Sequence, residues 1–278
     1  MTVFTQLWKA FSNLPEVTAI ALGGSRSGET YDETSDYDLY IYCTSIPDEN
    51  SRESILTKYC SYMEMSNQFW ELEDDCTLNN GVDIDILYRN ICHFATDLEN
   101  EYFKEVGQEP FRYIPLENVI EKYQAGNGYT TCFWHNLKTC KILYDADGEL
   151  GKLQERFNVP FPPKLKDNII SRNLSLLTGH LPSYDTQILK AAKRKDLVSV
   201  NHRIAAFLES YFDIIFAVNE LTHPGEKRMM SYAKAHASLL PNQFEKSLNA
   251  LLMSITASPE ILEKQLREII VNLEGILS

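Results

Sequence analysis

The chain has 278 residues, of which 44% are hydrophobic and 23% charged, and its formal net charge is −13. That is the composition of a globular protein of one large or two medium domains. An acidic balance of this size argues against a broad nucleic-acid-binding surface, which needs a basic face. The local basic cluster of Lys190, Lys193, Arg194 and Lys195 reads as a solvated helix face. Cys43, Cys60, Cys76, Cys92, Cys132 and Cys140 form no C-x-x-C pair and no zinc-type spacing, which suits reduced thiols in a cytoplasmic protein. Met1 to Pro15 carries no basic stretch followed by an apolar core, and no run of about 18 apolar residues occurs, so neither a signal peptide nor a membrane span is expected.

In chain order, residues 3–13 predict a short helix, with Phe4, Leu7, Trp8 and Phe11 on one side. Val17 to Leu22 predicts a strand that ends at Gly23-Gly24, after which Ser25 or Ser27 caps a short helix. Asp36 to Thr44 predicts a second strand, Asn50 to Met65 a helix, Gln68 to Glu73 a short strand, and Val82 to Tyr88 a firm strand. Ile91 to Val106 then returns to helix. Asn118 to Gln124 and Tyr129 to Leu137 are helix candidates, and Cys140 to Tyr144 is a strand candidate ended by the turn Asp145-Ala146-Asp147-Gly148. Val159 to Pro163, rich in proline, is the best linker. Beyond it Asn201 to Leu221, Phe244 to Ile255 and Ile261 to Leu277 read as amphipathic helices. The predicted class is α+β: a small mixed-sheet domain over 1–158, followed by an α-helical bundle over 159–278.

Two strands carry acids where apolar residues would be expected. Ser35-Asp36-Tyr37-Asp38-Leu39 places Asp36 and Asp38 on one face and Tyr37 and Leu39 on the other, because side chains alternate along a strand. Gly81-Val82-Asp83-Ile84-Asp85-Ile86 does the same for Asp83 and Asp85. Burying a charge is expensive unless it is paired or ligated, so carboxylates gathered from neighbouring strands point to a hard divalent cation such as Mg²⁺. Three of them on adjacent strands can hold two ions about 3.5–4 Å apart, the arrangement for in-line transfer of a nucleotide. Gly23-Gly24-Ser25 supplies a turn whose backbone can approach a phosphate, with a hydroxyl from Ser25 and a positive charge from Arg26. It is neither the G-K-[ST] phosphate loop nor the G-x-G-x-x-G fingerprint.

This combination resembles the DNA polymerase beta-like nucleotidyltransferase superfamily. Its pattern is Gly-Ser, a spacer, Asp-hydrophobic-Asp, and a third Asp on a later strand. Gly24-Ser25, Asp36-Tyr37-Asp38 and Val82 to Leu87 match that pattern, and the resemblance covers about residues 17 to 90. It implies that Asp36, Asp38 and Asp85 ligate two Mg²⁺ ions and carry the catalysis. It implies further that Gly24 and Ser25 hold the triphosphate of ATP or another nucleoside triphosphate. Asp85 is favoured over Asp83 as the third acid because the third acid is usually followed by a hydrophobic pair. A small domain of this kind followed by helices looks like the aminoglycoside and lincosamide nucleotidyltransferases, an antibiotic-resistance branch. Lys227 or Arg228, in Thr222-His223-Pro224-Gly225-Glu226-Lys227-Arg228, would then reach the triphosphate from the second domain.

The function so implied is a Mg²⁺-dependent transferase that moves a nucleoside monophosphate, AMP from ATP above all, onto a hydroxyl of a small molecule. Two alternatives stay open: modification of a protein side chain, as in toxin–antitoxin partners, and a non-catalytic nucleotide sensor. The expected partners are a nucleoside triphosphate and a small-molecule acceptor, with no membrane and no nucleic acid; a homodimer is left open. For the proton acceptor, Asp85, Glu71, Glu73, Asp145 and Glu209 all stand as candidates, with His135 and His202 behind them, and the sequence does not rank them.

Overall fold

The computed structural model describes residues 1–27, 35–68, 71–92, 114 and 116–277. The chain divides into two compact units, one of Met1–Gln108 with Trp134–Val159, the other of Glu109–Phe133 with Pro160–Ser278.

In the first unit, helix α1 (Val3–Phe11) opens on Thr2, whose side chain accepts from the Thr5 N–H. Then come β1 (Val17–Leu22), the four-residue α2 (Gly24–Ser27), β2 (Tyr37–Cys43), α3 (Glu49–Tyr59), β3 (Cys60–Asn67), β4 (Glu73–Leu78) and β5 (Asp83–Asn90). Later in the chain β6 (Lys141–Asp145) joins the same sheet and α6 (Glu149–Phe157) follows it. The strand order is β3-β4-β5-β2-β1-β6. Only β2 and β5 run parallel among the pairs described; β1–β2, β1–β6, β3–β4 and β4–β5 are antiparallel.

The period of two decides what each face does. Ile20, Leu22, Leu39, Ile41, Ile84, Ile86, Tyr88, Cys76 and Leu78 form one buried cluster with Phe4, Leu7 and Phe11 of α1 and Ile55 and Leu56 of α3. The alternate residues, Asp38, Tyr40, Tyr42, Asp85, Arg89, Glu73 and Asp75, therefore belong to the opposite face. An apolar face against two helices fixes the register, since a one-residue slip would drive the acids into that core.

Two sequence expectations change here. The helix expected over Asn50–Met65 stops at Tyr59, and Cys60–Asn67 is a strand paired with β4. The strand expected over Gln68–Glu73 instead begins at Glu73 and runs to Leu78. Glu73-Asp74-Asp75 has poor strand propensity, and tertiary pairing overrides it. Asp74 is fully buried on the helix side of the sheet. It accepts from Arg52 Nη1 at 2.5 Å, the Ser66 N–H at 2.8 Å and Tyr88 Oη at 2.8 Å. The helix expected over Ile91–Val106 lies, from residue 93 onward, outside the described residues.

The second unit is helical: α4 (Leu116–Ile120), α7 (Pro163–Leu177), α8 (Tyr184–Lys193), α9 (Leu197–Val218), α10 (Met229–His236), α11 (Phe244–Met253) and α12 (Pro259–Glu274). The division between the units falls inside α5 (Cys132–Thr139). Helix α9 supplies the centre of its core through Ile204, Phe207, Tyr211, Phe212, Ile215 and Phe216. Val159–Pro162 carries no regular element, as the prolines lead one to expect, and Pro163 sits in the first turn of α7, where its missing N–H costs nothing. Among the described residues no helix is long and apolar enough to cross a membrane.

A polar knot sits inside this helical core. Asp213 of α9 accepts from the Thr130 N–H at 3.2 Å, Thr130 Oγ1 at 2.6 Å and Asn173 Nδ2 at 2.9 Å. Burial pushes its carboxyl up to about 7, against the opposite pull of those donors. The folded protein therefore holds this proton more tightly than the unfolded chain, where Asp titrates near about 3.9. The stabilisation is complete below about pH 4 and is lost as the pH rises through about 7, with a slope of at most roughly 1.4 kcal/mol per pH unit. Asp213→Asn keeps the shape and removes the titration. Its melting temperature, relative to wild type, is expected to climb from about pH 5 to about pH 8. A difference that does not change with pH would contradict this assignment.

Candidate active site

The β2–β5 pairing sets Asp38 directly beside Asp85, and the β4–β5 pairing sets Asp75 on the other side of Asp85. Adjacent strands lie about 4.8 Å apart, so the three carboxylates form one row across three strands. Asp36 stands just before β2 and is half-buried, as are Asp38 and Asp85. Asp83, two residues before Asp85, is exposed and accepts from Thr77 Oγ1 at 2.8 Å.

The glycine turn lies against this row. The Gly23 N–H donates to the Asp38 carbonyl at 2.8 Å. Gly24 has φ +56°, and a Cβ placed on it would stand 1.7 Å from Asp38 Oδ2. A Cβ on Gly23 would stand 2.3 Å from the Tyr40 ring. Both glycines are thus required by close approach, one to the carboxylate and one to the aromatic beneath the turn. Ser25 follows in α2. Arg26 ties the turn to the start of β2: its Nε donates to the Ser35 carbonyl at 2.7 Å and the Asp36 carbonyl at 3.2 Å, and its guanidinium lies 4.1 Å from the Tyr37 ring centre.

Behind the row is a buried cationic support that the sequence reading did not identify. Arg89, two turns of the β5 pleat beyond Asp85, pairs with Glu71 at 2.9 Å and stacks 4.1 Å over the Tyr40 ring. Glu71 holds Arg89, Arg89 packs on Tyr40, and Tyr40 fills the space a side chain at Gly23 would need. Burial raises the hydroxyl of Tyr40 well above the usual tyrosine range, Arg89 opposing and Asp38 adding to the rise, so it stays protonated.

The structure separates the proton-acceptor candidates. Glu71 is occupied by Arg89. Asp145 accepts from the Gly151 N–H at 2.8 Å and the Leu150 N–H at 3.4 Å, capping α6. Glu209 belongs to the second unit, as does His202, which is exposed on α9. His135 is half-buried in α5. Glu73 is buried on the acidic face, and burial first, then Asp75, Asp85, Glu71 and Asp38, push its carboxyl up to about 8. A period-two run of acids, Glu71, Glu73 and Asp75, was the available sequence signal for β4. Lys227 is exposed in the second unit, between α9 and α10.

Carboxylate oxygens are the donors a hard cation takes, and the missing Cβ of Gly24 is what lets the Asp38 carboxylate take its place in the row, so this donor set fits Mg²⁺ in kind. Among the described residues no three His, Cys, Asp or Glu side chains already converge closely enough to hold an ion. The Gly24 geometry is sensitive to one methyl group. Gly24→Ala adds about 1–2 kcal/mol of left-handed strain and displaces the Asp38 carboxylate. A loss of stability of that size is expected in denaturant unfolding, and an unchanged stability would contradict the close approach of Gly24 to Asp38.

No protein-family model matches the chain, and no curated protein does. Solved structures do. It is similar to a nucleotidyltransferase-like protein from Exiguobacterium sibiricum 255-15, at 11% identity and TM-score 0.41, over 97% of this chain and 71% of that one. It is similar to an aminoglycoside 6-adenyltransferase from Bacillus subtilis, at 10% identity and TM-score 0.28, over 98% of this chain and 89% of that one. It is also similar to a spectinomycin adenyltransferase from Enterococcus faecialis solved with ATP and spectinomycin, at 13% identity and TM-score 0.28, over 95% of this chain and 96% of that one.

Proposed function

We propose that this chain is a nucleotidyltransferase that moves a nucleoside monophosphate, AMP from ATP, onto a hydroxyl of a small molecule, its transferase portion being residues 1–158 and its helical portion 159–278. The observation that carries the reading is the placement of Asp38 and Asp85 side by side on parallel strands, with the Gly23-Gly24 turn closed down on Asp38. Like charges set in a half-buried row beside a tight glycine turn cost stability, a cost that a bound cation offsets.

In this reading Asp36, Asp38 and Asp85 hold Mg²⁺, two ions in all. Bound there, the metal neutralises phosphate charge and makes the attacking hydroxyl more acidic. The backbone of Gly24 and the hydroxyl of Ser25 orient the triphosphate. Arg26 fixes the turn by its Nε bonds and adds positive charge beside it. The acceptor oxygen attacks the α-phosphorus in line, and pyrophosphate leaves. The surplus of acid suits a cationic acceptor of the aminoglycoside kind, with lincosamides as the second class.

The test is incubation with labelled ATP, GTP, CTP or UTP, Mg²⁺, and panels of streptomycin, kanamycin, spectinomycin and lincomycin, alongside candidate proteins. Acceptor-dependent pyrophosphate release that Asp36→Asn abolishes supports the reading. Nucleotide binding without turnover would replace it with a sensor, and labelled protein bands with a protein-modifying enzyme.

A further inference from the structure

The proton released by the acceptor hydroxyl needs somewhere to go, and the arrangement of β4 supplies a place. We propose that Glu73 accepts it, an inference that rests on the nucleotidyl-transfer reading above. Glu73 is 7% exposed, its carboxyl takes part in no hydrogen bond or ion pair among the described residues, and its oxygens keep access to solvent. Its neighbours on the strand differ. Asp74 has three donors, and Asp75 accepts from Asn67 Nδ2 at 2.7 Å. Glu71, just before the strand, has Arg89.

A carboxyl carried on a largely buried residue, without a donor and with its oxygens reachable from solvent, is placed to take a proton from a group that approaches it. Its position says what it faces. Glu73 lies opposite Leu87, on the same face as Asp75 and Asp85, and is a diagonal neighbour of Asp85 at about 7–8 Å. The same acids that would hold the metal and nucleotide, Asp38 and Asp85, act on its charge. A substrate hydroxyl seated over the row would meet Glu73 from the side of β4.

The step balances as follows. The acceptor O–H bond breaks and its proton passes to a Glu73 carboxylate oxygen. The oxygen's electron pair forms the bond to the α-phosphorus. The bond from that phosphorus to its bridging oxygen breaks, and the pair leaves with pyrophosphate. No oxidant, reductant or further reactant is needed.

Glu73→Gln and Glu73→Asp test this with ATP, Mg²⁺ and the acceptor panel above, turnover being read as pyrophosphate release and binding as ATP affinity by calorimetry. Glu73→Gln keeps the volume and removes a destabilising buried acid, so it is expected to fold, which a melting curve verifies. The expected result is a fall in turnover of at least about a hundredfold with ATP affinity within about threefold of wild type. Glu73→Asp, which keeps a carboxyl, should then exceed Glu73→Gln by at least about tenfold. Turnover in Glu73→Gln within about threefold of wild type would overturn the assignment while leaving the transferase reading intact, and so would equal turnover in the two variants or a parallel loss of ATP affinity. Absence of turnover in the wild-type protein with every acceptor would sink the transferase reading, and this inference with it.

Discussion

Asp38→Asn is expected to lower nucleotidyl transfer by at least about a thousandfold while moving the melting temperature by no more than about 2 °C. The reasoning separates charge from shape. Asn occupies nearly the same volume, so the close fit against Gly24 and the β2 backbone bond from Gly23 both survive. What disappears is one anionic oxygen donor at the end of the row, between the glycine turn and Asp85. Loss of several kcal/mol of charge stabilisation in the transition state corresponds to about three decades in rate. The fold should not suffer comparably, because Asn keeps the shape of the side chain and relieves the charge that raises the Glu73 carboxyl and the Tyr40 hydroxyl. Pyrophosphate release and a melting curve on the same preparation decide the matter. A variant that retains more than about a tenth of wild-type turnover would contradict the assignment of Asp38.

Asp74→Ala should do the reverse, costing about 3–5 kcal/mol of stability. Asp74 is 0% exposed and Arg52 3%, and their 2.5 Å contact crosses from β4 to α3. The same carboxylate takes the Ser66 N–H and Tyr88 Oη, so a single residue joins α3, β3, β4 and β5. Its removal strands a buried guanidinium whose Nε already has no hydrogen-bond partner among the described residues. Ser66 Oγ, 2.9 Å from Arg52 Nη2, is the main remaining acceptor. Denaturant unfolding of wild type and variant measures the cost. A loss under about 1 kcal/mol would show that solvent reaches Arg52 and replaces the carboxylate.

The acids of β2 and β5 were legible because strand parity is local. Once Asp36 to Thr44 and Val82 to Tyr88 read as strands, Leu39 and Ile84 had to face a core and Asp38 and Asp85 had to face away. That the two strands are neighbours in register required the sheet order, which brings β5 beside β2 only after the hairpin of β3 and β4 is placed outside it. That hairpin was the part missed. Tyr62 and Met63 continue the helical spacing of α3, and Asp74-Asp75 lacks strand propensity. Both tendencies yield to contacts distant in sequence, Met63 opposite Cys76 and Asp74 on Arg52. The support beneath the glycine turn was hidden for the same reason. Nothing local to Arg89 shows that it will stack on Tyr40, and nothing local to β4 shows that Asp74 and Asp75 will each take a donor.

The most direct test of a magnesium-nucleotide site on this row is ATP binding measured by calorimetry with and without Mg²⁺, for wild type and for Asp38→Asn combined with Asp85→Asn. The expected result is Mg²⁺-dependent binding that weakens at least about a hundredfold in the double variant. ATP binding indifferent both to chelation of the metal and to loss of the two carboxylates would contradict it, as would the absence of ATP binding in the wild-type protein.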